Sequence, residues 1–290
     1  MNETTNSRPS PLLPRPMLLV GGALVAAVIG LLVWQALKPG ASGGTLGRLE
    51  GDMHSLMFTS DGRVLYGQHG GIQTSSDGGQ TWSAPGGEGD AMGLGASGET
   101  MYLAGHDVFQ KSTDGGKTWT SPGFGNLPAT DIHGFAVGPS SGWLYANLTG
   151  AGLHRSTDGG KTWQLLSAAT GDAMALAVGS GTPPKMYAAT MRGLTRSQDG
   201  GVNWQPVPNA SNLLGMALAV DPTGNVVYAS SGSGVVRSTD DGETWTETGG
   251  PGEALALIAV NPKDPAHLMT VSGTGQIYSS VDTGKSWKGK

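Results

Sequence analysis

The sequence predicts an all-β fold, a six-bladed β-propeller with four-stranded blades, preceded by a single N-terminal transmembrane helix. An eight-residue segment running from Ser to Trp occurs six times, with successive tryptophans 37, 44, 41, 41 and 42 residues apart. A repeat of about 40–45 residues with several short strands per unit is typical of propellers. The 50 Gly and 17 Pro follow the repeat as turn residues. A long apolar run precedes the first copy and predicts the helix.

The repeated segment has the composition of a hairpin turn. Its copies are residues 75–82, 112–119, 156–163, 197–204, 238–245 and 280–287. A carboxylate can accept hydrogen bonds from turn N–H groups, and Gly supplies the positive φ that such turns require. We therefore interpret the recurring aspartates as structural: Asp77, Asp114, Asp158, Asp199, Asp240 and Asp282.

Counting back from each turn predicts one template of four strands per blade. In the third copy the strands fall at 132–137, 143–147, 153–156 and 162–165. A tyrosine recurs in the second strands of the first five blades, which indicates packing between blades: Tyr66, Tyr102, Tyr145, Tyr187 and Tyr228. Apolar runs of five or six residues suit strands that neighbouring blades cover on both faces.

The first 50 residues differ from the repeats. Residues 1–16 are polar and rich in Pro, which predicts a disordered cytoplasmic tail. Residues 17–37 carry no charge, and about 20 apolar residues cross a bilayer as a helix. Arg8 and Arg15 precede this span and only Lys38 follows closely, which favours an extracytoplasmic propeller. Residues 38–50 are predicted to be a linker, with a ring-closing strand at 45–49, and residues 51–290 the propeller.

A cleaved signal peptide is the alternative for the same segment. Such peptides have an apolar region of about 7–15 residues and a small-residue cleavage site. Residues 36–38 offer no such site, whereas residues 40–42 (Gly-Ala-Ser) do. The length of the apolar run favours the uncleaved anchor, and the protein is therefore predicted to lie in the membrane with one pass.

Charge and cysteine content exclude two kinds of site. The chain has no cysteine, so it has neither disulfides nor thiolate metal ligands. Leaving out residues 1–38 leaves 14 basic and 21 acidic residues, a net charge of −7. Because nucleic-acid binding depends on neutralising phosphates, a domain this acidic is predicted not to bind nucleic acid.

The strand order places two kinds of turn on opposite faces. The first positions of the inner strands and the turns after the second strands share what we call the upper face. The repeated turns lie on the lower face. The first positions of the inner strands read His54, Met92, His133, Met174, Met216 and Ala256. The equivalent turn positions read His69, His106, Gly150, Met191, Gly232 and Thr274. Acidic residues stand nearby at Asp52, Asp90, Asp131, Asp172 and Glu253, and Arg192 also falls on this face.

Three interpretations of the upper face compete. The first is structural: His and Met fill the narrow end of the ring and the aspartates cap loops. The second is a metal site, since imidazole with thioether suits copper and imidazole with carboxylate suits zinc. Its candidate ligands are His54, His69, His106, His133, Met92, Met174 and Met191. The third is a carboxylate hydrolase acting through Asp52 and Asp131, because glycosidases use two acidic groups across the scissile bond.

The repeated segment resembles the Asp-box, or BNR repeat, of sialidases and sortilin-like receptors, over roughly residues 50–290. The resemblance implies the propeller fold more strongly than an activity. A sialidase needs three arginines to hold the substrate carboxylate. Of the eight arginines, only Arg48 and Arg192 lie outside the tail, the repeats and the lower-face turns, so that mechanism lacks its parts.

Two other groups of propellers are similar to this chain. Sortilin-type receptors bind peptides in larger propellers with cysteine-rich additions that this chain lacks. Photosystem assembly factors of propeller shape are similar in their repeats, but they depend on a basic patch that this acidic, arginine-poor domain does not offer.

The sequence thus predicts a membrane-anchored extracytoplasmic binding or scaffolding module. A peptide, protein or glycan ligand would meet an upper face formed by His54, His69, His106, His133, Asp52, Asp90, Asp131, Asp172 and Arg192. A sialidase-like glycoside hydrolase is the alternative.

Overall fold

A computed structural model describes residues 48–210, 213 and 217–289. In this part of the chain, 22 strands form six antiparallel sheets. The predicted all-β six-bladed propeller is confirmed. The predicted tail and membrane helix at residues 1–37 lie outside the described residues. In the described part, no helix is long and apolar enough to cross a membrane.

Each sheet is built from strands that follow one another in sequence. The inner strands are β1 (Ser55–Phe58), β4 (Gly93–Ser97), β7 (Ile132–Val137), β11 (Ala173–Gly181), β15 (Leu218–Val220) and β19 (Leu255–Val260). The second strands are β2 (Val64–Gln68), β5 (Thr100–Gly105), β8 (Leu144–Leu148), β12 (Pro184–Thr190), β16 (Val227–Ser231) and β20 (Leu268–Ser272). The third strands are β3 (Gly71–Ser75), β6 (Val108–Ser112), β9 (Gly152–Ser156), β13 (Gly193–Ser197), β17 (Gly234–Ser238) and β21 (Ile277–Ser280). The outer strands are β10 (Gln164–Ser167), β14 (Gln205–Pro206), β18 (Thr246–Glu247) and β22 (Lys288–Gly289).

Contacts between inner strands close the six sheets into a ring. Each inner strand contacts the next in the series β1, β4, β7, β11, β15 and β19, and β19 in turn contacts β1. The second-strand tyrosines pack between blades as predicted, and Tyr66, Tyr145, Tyr187 and Tyr228 are fully buried. Burying such large rings supplies much of the apolar contact between neighbouring sheets.

The sequence predicts four strands in every blade, but the outer strand is short or missing in some of the described blades. Among the described residues, the first two blades have three strands each, and a single bridge marks the outer position in each. These bridges join Ile72 to Gly86 and Lys111 to Thr120. Pro85 and Pro122 follow the two Asp-boxes closely. Because proline has no N–H to donate, each proline interrupts regular pairing along the outer strand.

The six repeated turns share one hydrogen-bond network centred on the serine and the aspartate. In the third, Ser156 Oγ donates to Asp158 Oδ1 at 2.8 Å and accepts from Gly160 N at 2.8 Å. Thr162 donates its N–H to Asp158 Oδ1 at 2.9 Å and its hydroxyl to Oδ2 at 2.6 Å. Trp163 Nε1 donates back to the Gly160 carbonyl at 3.0 Å. Both carboxylate oxygens are therefore engaged within the turn.

These hydrogen bonds stabilise the charged form of each turn aspartate. The Thr162 hydroxyl and backbone N–H, followed by Ser156, lower the pKa of Asp158 to about 2. Asp199, Asp240 and Asp282 have pKa values lowered to about 2 by equivalent bonds. The pKa values of Asp77 and Asp114 are also lowered, with the threonine hydroxyl as the largest cause. Such geometry fits a structural role.

Residues near both ends of the described chain share the sixth blade. Arg48 forms an antiparallel bridge with Gln276, and Leu49 N donates to the Gly275 carbonyl at 2.9 Å. β22 pairs with the same strand, β21, through Lys288 and Gly289. The outer edge of the sixth blade is thus formed from two distant chain segments. Both must dock for that edge to be paired.

Candidate functional site

The strand register places the histidines and the Asp-boxes on opposite faces. In the first blade, Ser55 pairs with Gly67, and Val64, at the other end of β2, pairs with Ser75, where the Asp-box begins. His54 and His69 flank the Ser55 end of these strands. The antiparallel pairing therefore separates the imidazoles from the boxes by the length of a strand, as the sequence predicts.

One half of the cluster belongs to the first blade. His54 Nε2 lies 2.8 Å from His69 Nδ1, and the two rings are tilted by 56°. Asp52 Oδ2 lies 3.2 Å from His69 Nδ1. Asp90, from the link to the second blade, places Oδ1 3.1 Å from His54 Nε2. Ring nitrogens and carboxylate oxygens thus converge within a few ångströms.

The other half spans the second and third blades. His106 Nε2 lies 2.8 Å from His133 Nε2. Asp131 Oδ1 lies 3.3 Å from His106 Nε2 and 3.1 Å from His133 Nε2. The opposite nitrogen of the His133 ring faces the Met174 sulfur at 3.3 Å. These contacts bring together side chains from three consecutive blades.

Asp90 joins the two halves. Its Oδ1 faces His54, while its Oδ2 accepts from His106 Nδ1 at 2.6 Å. The residue is only 7% exposed. Gly105 permits this position, because a Cβ at Gly105 would lie 1.8 Å from the Asp90 carbonyl oxygen. A larger residue would push the link between blades away from β5 and move the carboxylate.

Burial favours the neutral form of two of the rings. It is the largest cause lowering the pKa of His54, against the opposing attraction of Asp90. It likewise lowers the pKa of His133, against the opposing attraction of Asp131. Neutral imidazole carries a free lone pair on one nitrogen, which is the form that binds metals.

A cavity of about 100 Å³ lies on the axis of the ring. All six inner strands contribute to its wall. His54, Met92, His133 and Met174 line it together with apolar residues such as Leu257. This volume accommodates a few water molecules, so a larger ligand would have to bind on the upper face itself.

Four of the predicted upper-face residues lie apart from the imidazoles. Asp172 pairs with Arg192 across 3.4 Å in the fourth blade, where the arginine side chain is 76% exposed. Met191 is 54% exposed, and within the described part of the chain it makes no hydrogen bond to an imidazole. Glu253, in the sixth blade, accepts a hydrogen bond from Tyr278. Met216 lies outside the described residues.

The sequence did not distinguish Asp90 from the other upper-face aspartates. All occupy equivalent positions before an inner strand, yet Asp90 is buried while the side chains of Asp52 and Asp131 are 68% and 45% exposed. The difference arises from the close approach at Gly105 and from histidines on both sides. The sequence feature that could have singled out Asp90 is His106, which directly follows Gly105.

Fold and turns together define an Asp-box propeller, and comparison with known proteins specifies the family. A family model described as photosynthesis system II assembly factor YCF48 matches residues 49–290. The chain belongs to this family. The acidic composition, which counted against such assembly factors in the sequence, is thus compatible with membership. A search by sequence against curated proteins gives no significant match.

Solved structures share the fold at low identity. The GH74 xyloglucanase from Xanthomonas campestris has 21% identity and a TM-score of 0.59, covering 86% of this chain and 46% of its own. This chain thus spans about half the length of that enzyme. YCF48 bound to D1 peptide has 20% identity and a TM-score of 0.55, covering 85% and 82%. YCF48 from Cyanidioschyzon merolae has 20% identity and a TM-score of 0.52, covering 82% and 84%.

Proposed function

We propose that the protein is a binding or scaffolding module that receives a peptide or protein segment on its upper face. In this proposal residues 17–37 anchor the chain in a membrane, with the propeller outside the cytoplasm. Family membership supports an assembly role, and a YCF48 relative is bound to a D1 peptide.

The concentration of exposed polar side chains on the upper face carries the proposal. The side chains of Asp52, His69 and Arg192 are 68%, 59% and 76% exposed. On the lower face, each Asp-box carboxylate already accepts several hydrogen bonds from its own turn. The Asp-box carboxylates are thus engaged within their own turns, and exposed polar residues on loops are where binding concentrates.

Site-specific photo-crosslinking in cells tests this assignment. A photoreactive amino acid is placed at Asp52 or Arg192 on the upper face, and at Gln80 or Lys117 in Asp-boxes on the lower face as matched controls. We expect a discrete protein adduct from the upper positions alone. Equal adducts from both faces, or none from the upper positions, would refute an upper-face binding module.

The hydrolase alternative stays a prediction. Asp52 lies beside His69, whereas Asp131 lies between His106 and His133. The two predicted catalytic carboxylates thus belong to separate halves of the cluster. The likeness to the GH74 enzyme establishes the fold alone.

A further inference from the structure

We propose that the upper face binds two divalent transition-metal ions side by side. The first set of ligands is His106, Asp131 and His133, and the second is His54, His69 and Asp90. The inference goes beyond peptide binding. The test measures metal binding without a peptide, so the metal proposal and the peptide-binding proposal can each be refuted independently.

The first set has the spacing of ligands around an ion. Its three ligand atoms form a triangle with sides of 2.8, 3.1 and 3.3 Å. An ion about 2.05 Å from each atom, within the usual range for zinc bound to nitrogen and oxygen, would subtend angles of about 85° to 107°. These angles run from slightly below the octahedral value to slightly below the tetrahedral value. The three atoms would occupy one side of the ion and leave its other side open.

Hydrogen bonds among the three side chains cannot satisfy all three ligand atoms of this triangle. Asp131 Oδ1 is buried and accepts no hydrogen bond, although two ring nitrogens lie within 3.3 Å of it. Each neutral imidazole carries one N–H. A single proton between the rings satisfies one pair of atoms and leaves the carboxylate oxygen facing lone pairs. A cation at the centre satisfies all three atoms at once.

The outer nitrogens of both rings are also positioned for metal binding. His106 Nδ1 donates to Asp90 Oδ2 at 2.6 Å, which directs its Nε2 lone pair at the triangle. His133 Nδ1 faces the Met174 sulfur, a weak acceptor, at 3.3 Å. A ligating histidine characteristically donates its other N–H to a carboxylate or another acceptor, which fixes its orientation. The methionine thus acts on the ring and not on the ion.

The second set is similar but less tightly closed: its ligand atoms lie within 4.8 Å of one another, and His69 Nε2 lies 3.6 Å from Asp90 Oδ2. His54 Nε2 lies 2.8 Å from His69 Nδ1 and 3.1 Å from Asp90 Oδ1. Asp90 Oδ1 is also buried without a hydrogen-bond partner. Asp52, 3.2 Å from His69 Nδ1, can supply a further oxygen. Asp90 would ligate one ion through Oδ1 and orient His106 at the other through Oδ2, so it couples the two positions.

The ligand types define the class of metal. Each set offers two imidazoles and a carboxylate, with no thiolate in the chain. Such mixed nitrogen and oxygen donors suit zinc, and copper is the competing ion because it binds similar donors more tightly. Calcium and magnesium prefer oxygen ligands. We therefore use zinc as the probe.

Zinc content of the full chain tests the proposal. The protein is purified in detergent through a tag without histidine, stripped with chelator, equilibrated with buffered zinc and measured by mass spectrometry. We expect two zinc ions per chain in the wild type, and one in each double variant, His106→Gln/His133→Gln and His54→Gln/His69→Gln. The matched control is His267→Gln, whose ring lies at the lower face beside Phe58 and Ser279. It should retain both ions.

Asp90→Asn tests the coupling between the positions. It should weaken zinc binding at both by about 10- to 100-fold, because one charged ligand and one orienting group are lost together. Added zinc should raise the melting temperature of the wild type and of His267→Gln. Circular dichroism checks that each variant is folded. Fewer than two zinc ions in the folded wild type, or two in either double variant, would overturn the proposal.

Discussion

Gly160, in the third Asp-box, is a position where the structure predicts a large cost for adding one methyl group. Its φ is +92°, and a Cβ there would lie 2.5 Å from Phe109 Cε1 and 2.9 Å from Cζ. A left-handed backbone costs a residue with a Cβ about 1–2 kcal/mol, and overpacking a filled core costs about 1–3 kcal/mol. Gly160→Ala should therefore destabilise the protein by about 2–5 kcal/mol.

Two other glycines separate these contributions. Gly150 has a φ of +72° with open space around its Cβ direction, so Gly150→Ala measures backbone strain alone. Gly232 has open space and no positive φ, and its replacement should change stability by less than about 0.5 kcal/mol. Phe109→Leu removes the ring that meets the new methyl group. In that background the cost of Gly160→Ala should fall towards that of Gly150→Ala.

Thermal unfolding followed by near-ultraviolet circular dichroism measures the series. For about 240 structured residues, 1 kcal/mol shifts the melting temperature by about 2–4 °C, so Gly160→Ala should lower it by about 4–20 °C. If Gly160→Ala and Gly150→Ala melt at the same temperature, contact with the neighbouring blade does not constrain this turn. If Phe109→Leu leaves the cost of Gly160→Ala unchanged, Phe109 is not the group it meets.

Three further predictions concern single positions. The pKa of Asp158, about 2 in the fold against about 3.9 unfolded, implies stabilisation that is complete above about pH 5 and lost progressively as pH falls to about 1. The melting-temperature difference between wild type and Asp158→Asn should shrink over that interval, and a constant difference would contradict the assignment. Because the chain lacks cysteine, Lys117→Cys should react with a membrane-impermeant maleimide in intact cells; labelling only after lysis would contradict the proposed orientation. Asn147 is fully buried, donates to the Ala173 carbonyl and accepts from Thr170. Asn147→Ala should lower the free energy of unfolding by about 2–4 kcal/mol, measured by thermal unfolding, and non-additivity with Thr170→Ala tests the shared bond.

The number of blades and the residues on each face could be predicted because the same turn sequence occurs six times. Each Asp-box sets the position of a turn, and the alternation of antiparallel strands then assigns every neighbouring position to a face. The outer strands were less predictable. Pro85 and Pro122 interrupt the outer pairing in the first two blades, and these prolines lie outside the repeated segment.

The sequence predicted which face of the propeller carries the candidate site, but it did not predict which side chains of the site contact one another. Counting along strands placed His54, His69, His106 and His133 on one face. Their grouping depends on ring orientation and on how closely neighbouring blades approach at Gly105. Neither the ring orientation nor the distance between blades follows a periodic pattern in the sequence. Asp90 consequently looked equivalent to Asp172, which instead pairs with Arg192 in the fourth blade.

The two faces differ because their aspartates have different partners. An Asp-box carboxylate accepts hydrogen bonds from its own serine and threonine and from its own backbone, so each turn is complete without help from another blade. Asp90 and Asp131 instead place an oxygen beside histidines while that oxygen accepts no hydrogen bond. A buried polar atom without a partner destabilises a fold, and such atoms need an explanation. The described contacts explain the lower-face carboxylates as structural. The buried oxygens of Asp90 and Asp131 have no such partner among the described residues, and the proposed metal ions would supply one.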